Sequence, residues 1–219
     1  MKRYWPYILI FTLTFFLLII PKDESKGSNV EDSRIELFNR NISYTGLSYK
    51  AFNKAVNGYT RYKNANIISG NIIAIIDYDL PSTKNRLFII DIQTYTVLHS
   101  SLVAHGKETG SNYAKSFSNT NGSHQSSLGF YKTSEKYVGK HGVSLRLDGL
   151  EPGVNDKARS RNIVIHAANY VSEKFVKQNH RLGRSFGCPA IPEKDYQKVL
   201  DLLDDEILLY AYSSNIDNN

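Results

Sequence analysis

Apolar positions along this chain change texture three times. Residues 4–20, YWPYILIFTLTFFLLII, are apolar on every side, with Thr12 and Thr14 as the only polar breaks. From Ser48 the spacing becomes helical: Phe52, Ala55, Val56 and Tyr59 recur every three or four residues behind a serine able to cap a helix. A shorter helix is expected over 33–42. Beyond Ile67 the chain turns into short apolar runs bounded by Gly, Ser, Asn and Pro. These predict strands over 71–79, 85–93, 95–106, 127–139, 144–150, 161–168 and 206–212. A Pro81-Ser82 turn separates the first two, and a tight Gln93-Thr94 turn pairs the second with the third. A last helix is expected over 192–205, opened by Pro192 with acidic residues near its start. No internal repeat is visible. The pattern predicts a mainly β fold, a sandwich or barrel with a few peripheral helices.

The N-terminal run divides the chain. Lys2 and Arg3 precede it and PKDESKG follows it, the order of an export signal. No small-residue cleavage site follows the run, so an uncleaved signal-anchor helix over residues 4–20 is the favoured expectation. Lys2 and Arg3 would then stay in the cytoplasm. The organisation reads as a signal or anchor (1–21), a polar linker with a short helix (22–45), one folded domain (46–212) and a tail (213–219). Two loops are long and polar, 106–127 and 151–161; loops of this kind inside a compact domain are often functional. Both precede strands and are expected to border one face.

Composition narrows the function classes. The net charge is +6 and the pI about 9.2, which suits an anionic partner or simply solubility. No nucleic-acid-binding module accompanies the charge, so no nucleic-acid partner is expected. The chain has one cysteine, Cys188, which excludes an intramolecular disulfide and any multi-cysteine zinc site. The six histidines lack metal-ligand spacing, so neither metal nor cofactor is expected.

Cys188 lies in HRLGRSFGCPAIP, residues 180–192. A lone cysteine is commonly a small buried hydrophobe. In an exported chain, between a glycine and a proline and just after Arg181 and Arg184, it also reads as a nucleophile whose thiolate is favoured. A base must accompany it. His166 ends the strand run NIVIH and His105 ends SLVAHG, so both sit where strands reach a sheet rim; His99, His124, His141 and His180 fit less well. The N–H groups of Gly187 and Cys188 are candidate oxyanion donors. From the residues alone the reading is a cysteine acyl-transfer enzyme of unspecified substrate.

RNIVIHAANY followed by GRSFGCPAIP resembles the murein L,D-transpeptidase catalytic-domain family (YkuD-type), in the branch whose motif ends Gly-Cys-Pro. FIIDIQ, LVAHGKETG, FSNTNGSHQSSLGFYKT and GKHGVSLRLDGLEPGVNDKARSR extend the likeness over about residues 45–212. The resemblance implies an L,D-transpeptidase-like β-sandwich acting on peptidoglycan stem peptides. It implies Cys188 as nucleophile and His166 as base, with Ser185 and Gly187 at the motif's Ser/Thr and Gly. Phe186 and Ala190 depart from it, standing where the common motif has His and Arg. Arg184 is expected to take over that charge, and Arg159, Arg161 and His105 to help bind substrate. The implied reaction is attack on the carbonyl of the third, diamino acid residue of the stem, with release of D-alanine and formation of a 3→3 crosslink or exchange of the terminal residue. An L,D-carboxypeptidase and a non-catalytic wall-binding module are the alternatives. The expected location is the periplasm or cell envelope, and the oligomeric state is left unassigned.

Overall fold

The computed structural model describes residues 25–139, 142–204 and 206–215, with side chains from residue 30 onward. The expected anchor helix and His141 lie outside the described residues. Among those described, no helix is long and apolar enough to cross a membrane.

Two N-terminal helices come first: α1 (Ser25–Asn41) and α2 (Tyr49–Asn64). Helix α2 begins as expected, with Ser48 Oγ accepting the Ala51 N–H at 3.2 Å. Helix α1 is longer than the short helix foreseen over 33–42 and takes in most of the expected linker. Its contacts explain why apolar spacing missed it. Arg34 bonds Asn57 on α2 at 2.7 Å, and Asn53 donates to Glu31 at 3.3 Å. Among its described side chains, α1 buries only Phe38, near its C-terminus, with Ile42 following it.

The rest is a sheet of eight strands: β1 (Ile72–Asp77), β2 (Leu87–Asp91), β3 (Thr96–Ser101), β4 (Gly129–Gly139), β5 (Gly142–Gly149), β6 (Val164–Ala167), β7 (Ala190–Ile191) and β8 (Leu208–Tyr212). Their spatial order is β3-β2-β1-β8-β4-β5-β6-β7. The β1–β8 and β6–β7 pairs are parallel and the others antiparallel. Past β3 the chain reaches the far edge of the sheet: Ala104 N–H donates to Ala190 O at 2.8 Å. The sheet thus folds over until its two ends meet.

Strands β1, β2 and β8 are buried on both faces, which is why they read as unbroken apolar runs. Ala74, Ile76, Leu87, Ile89 and Leu209 enter the enclosed core with Tyr131, Leu145, Ile165 and Ile191. Ile73, Ile75, Phe88, Ile90 and Tyr210 face the opposite way and carry α2 through Phe52, Ala55, Val56 and Tyr59. At Gly58 any Cβ would lie 2.1 Å from the Phe130 ring, so this helical glycine lets α2 sit directly on the sheet.

Two elements were not foreseen. Helix α3 (Glu173–Asn179) and the two-residue strand β7 form, with β6, a β–α–β crossover. Parallel strands need such a long connection. The expected 192–205 helix shortens to a single 3-10 turn and α4 (Tyr196–Leu202), which buries Val199 and Leu200. The second and third strands are joined through residues 92–95, where Asp91 Oδ1 accepts the N–H groups of Gln93 (2.8 Å) and Thr94 (3.2 Å).

Candidate active site

The β6–β7 crossover brings the two main candidates into one place. Its register sets His166 opposite Ala190 and Ala167 opposite Ile191. Paired strands lie about 4.8 Å apart. Cys188 therefore falls alongside the start of β6, where its Sγ donates to Asn162 O at 3.5 Å. The cysteine is partly buried. His166 is buried, and its Nδ1 is 2.9 Å from Ala167 O. A carbonyl oxygen only accepts, so in this contact Nδ1 carries the proton and the neutral ring has its lone pair on Nε2.

Ser185 locks the turn that carries Cys188. Its hydroxyl accepts the Gly187 N–H at 3.0 Å and donates to Cys188 O at 2.6 Å. Its backbone is fixed too, by Ser185 N to His105 O at 3.0 Å and Lys107 N to Ser185 O at 2.8 Å. Gly187 has φ +126, and a Cβ there would lie 2.8 Å from Gln125 O. Only glycine takes that conformation without strain. Ser126, buried, ties a third segment in: its Oγ donates to Gly187 O at 3.0 Å and accepts the Gly106 N–H at 3.1 Å. The Gly187 N–H is thus committed to Ser185, which corrects its expected role as an oxyanion donor.

The basic side chains divide by their partners. Arg161 reaches across to the 106–127 loop, donating to Ser118 O and Gln125 O, each at 2.6 Å, and to Ser127 Oγ at 3.1 Å. Asn119 and Asp156 join the same two loops at 2.7 Å. Burial lowers the Arg161 pKa, while the nearby Tyr131 and Cys188 raise it. Arg161 is therefore both the clamp of the loop and a positive charge within electrostatic range of the thiol. Arg184 is exposed and donates to Lys107 O and Gly110 O, both at 3.0 Å, so it anchors the start of that loop. Arg159 lies elsewhere, held by Glu135 at 2.9 Å and Asp148 at 2.8 Å on the β4–β5 hairpin. Its guanidinium is thus engaged with that hairpin, whatever place it was expected to have at the substrate.

His105 is also displaced from its expected role. It is 1% exposed, and its Nδ1 accepts from Arg86 at 2.7 Å. Burial first, and then the Arg86 charge, push its pKa down to about 3. It is a neutral core group rather than a base or substrate contact. Arg86 is itself fully buried, with Val103 O at 2.8 Å and Leu80 O at 3.1 Å as further acceptors. Burial lowers its pKa to about 10, which leaves it charged at neutral pH.

The two departures from the common motif have local explanations. Ala190 is buried between Ala104 and His166, the residues it pairs with, where a guanidinium would be enclosed. Phe186 is 65% exposed, with its ring centroid 4.6 Å from that of His124 and 5.1 Å from Lys107 Nζ. Sequence reasoning missed Ser126, Arg86 and Asn162. A serine in a polar loop and an arginine beside a strand carry no signal of burial, and only contacts reveal it. Among the described residues, no three His, Cys, Asp or Glu side chains gather to hold a metal ion.

Comparison with known proteins bears on what this turn belongs to. Solved structures with a similar course include an L,D-transpeptidase from Mycobacterium smegmatis at 12% identity, covering 65% of this chain and 59% of that one, with a TM-score of 0.39. Another comes from Xylanimonas cellulosilytica, at 13% identity over 66% and 61%, with a TM-score of 0.38. A helical cell shape determining protein from Campylobacter jejuni matches at 14% identity over 65% and 47%, with a TM-score of 0.43. The chain thus spans less than two thirds of each of these proteins. No curated protein matches significantly. The profile of the L,D-transpeptidase catalytic domain matches residues 43–212, a span that contains β1 to β8, His166 and Cys188. The chain belongs to the L,D-transpeptidase catalytic-domain family.

Proposed function

We propose that this protein is a cysteine-dependent peptidoglycan L,D-transpeptidase. The observation that carries the reading is the turn at Cys188, held by Ser185 and Ser126 and paired through β7 to the strand bearing His166. His166 Nε2 takes the thiol proton, and the Cys188 sulfur attacks the carbonyl of the diamino acid in a stem peptide. The bond to D-alanine breaks, His166 returns the proton to the departing amine, and a thioester remains. The side-chain amine of a second stem attacks the thioester, loses its proton to His166 and releases Cys188 as the thiol. The new amide is a 3→3 crosslink. Arg161 supports the reading as a fixed positive charge near the thiolate. Ala190 in place of the common Arg leaves that duty to Arg161 rather than to Arg184.

The test incubates the purified protein with disaccharide-tetrapeptide beside Cys188→Ala and follows products by mass spectrometry. A dimer lacking one D-alanine, made by the wild type alone, is the expected result. Tripeptide without dimer would make the protein an L,D-carboxypeptidase on the same site. No product from either protein, with substrate still bound, would turn the reading to a wall-binding module.

We further propose that residues 4–20 anchor the chain in the cytoplasmic membrane with the domain facing the envelope. The support is the apolar run after Lys2 and Arg3. Protease added to spheroplasts should digest the domain; full protection would refute the orientation.

A further inference from the structure

The crossover that delivers Cys188 also builds a groove. It is an open trough of about 310 Å³ along the chain after His166, lined by Asn169, Tyr170, Ser172, Lys174, Phe175 and Gln178. That volume is at the lower end of small-ligand sites.

The trough is fastened to the segment that carries Cys188. Beneath it, Ala168, Val171 and Leu182 pack with Ala190 in a buried cluster. Ala168 N–H donates to Ile191 O at 3.0 Å, and Gly183 N–H to Tyr170 O at 2.9 Å. Gly183 has no space for a Cβ, which would lie 2.5 Å from Tyr170. Ser172 caps α3 through the Phe175 N–H at 3.2 Å. The Tyr170 phenol is within electrostatic range of Cys188.

The lining has a definite chemistry. Tyr170 and Phe175 offer ring surface. Asn169 and Gln178 offer carboxamides that match peptide groups, each able to donate and accept. Lys174 is the only charged group, and no acidic side chain lines the trough. Its neighbour Glu173 is turned away into an ion pair with Lys194 at 3.0 Å, whereas among the described residues Lys174 forms none. A peptide carrying a carboxylate fits this set, and a polycation does not.

We propose that the α3 groove is a stem-peptide subsite in which Lys174 pairs with a free carboxylate of the stem. The proposal rests on the transpeptidase reading for the identity of the peptide. Placed next to the crossover, the subsite sets which peptide reaches Cys188.

The test has a binding arm and a turnover arm. In the first, Cys188→Ala protein is titrated with a synthetic tetrapeptide stem and with the same stem bearing carboxamides in place of carboxylates. The acid form should bind about tenfold tighter than the amide form, and Lys174→Glu should abolish the difference. Lys177→Gln, on the same helix but outside the groove, should leave it intact. In the second arm, Lys174→Glu should raise KM for the acid stem about tenfold with kcat within about twofold; a donor stem shows this in D-alanine release and an acceptor stem only in dimer formation. Equal affinity for the two stems, or the same loss with Lys177→Gln, overturns the proposal while leaving turnover intact. Selective binding without any turnover by the wild type would instead remove the transpeptidase reading and keep the groove.

Discussion

The hydroxyl of Ser185 offers the sharpest test of how this fold holds Cys188. Replacing Ser185 with alanine removes the acceptor of the Gly187 N–H and the donor to Cys188 O. The serine is 6% exposed, and water does not readily take its place. Leaving a buried polar group unpaired costs about 1–3 kcal/mol each. Gly187 is buried and Cys188 only partly so, which puts the sum at about 2–4 kcal/mol. For a chain of this size that corresponds to a melting temperature lower by about 5–15 °C. The effect on rate should be of similar size, because a displacement of about 1 Å at a reacting atom can lower turnover about a hundredfold, about 2.7 kcal/mol. Ser185→Thr keeps the hydroxyl and should keep most of the activity. Thermal unfolding and D-alanine release on the three proteins measure both effects. If Ser185→Ala melts within about 2 °C of wild type and turns over at the same rate, the hydroxyl does not position Cys188 and the reasoning fails.

Further outcomes follow from the same geometry. Gly187→Ala should lose activity and about 1–3 kcal/mol from backbone strain alone, since φ is +126 and Gln125 O blocks the Cβ; denaturant unfolding reads the loss. Arg161→Gln should expose the 118–127 segment to protease and slow alkylation of Cys188 by iodoacetamide, whereas Arg159→Gln, in an exposed ion pair, should change stability by less than about 1 kcal/mol and leave alkylation unchanged. His105, with its folded pKa pushed down to about 3, supports the fold above the unfolded-state value near 6.5. As pH falls through that window the unfolded chain takes up a proton that the folded one refuses, and stability drops by up to about 1.4 kcal/mol per pH unit. His105→Gln should flatten the slope by one proton in acid unfolding. Asp77, whose pKa burial raises, acts in the opposite sense in both proteins, so the difference between them isolates His105.

Much of this was legible before any contact was known. The runs IIAII, LFII and ILLYAY are apolar throughout because β1, β2 and β8 are covered on both sides, and Ser48 marks the start of α2. Cys188 and His166 stood out because a lone thiol between Gly and Pro, and a histidine ending a strand, are conspicuous residue types at conspicuous places. The groups around them were less legible. Arg159, Arg161 and Arg184 are alike as letters in two loops, yet one is spent on the β4–β5 hairpin, one clamps a loop across the site and one anchors its start.

Local rules therefore determined the mainly β character, the doubly buried strands, the capped helix and the conspicuous places of Cys188 and His166. These follow from side-chain period, turn chemistry and residue type, which act over a few positions. The tertiary structure alone decided the strand order, the parallel seating of β7 beside β6, the burial of His105 with Arg86 and the commitment of the Gly187 N–H to Ser185. Each of these depends on which distant segments meet, and a pairing of remote backbone groups leaves no periodic trace along the chain. The groove along α3 belongs to the second kind: its residues are neighbours in sequence, but it is a site only because the crossover sets it beside Cys188.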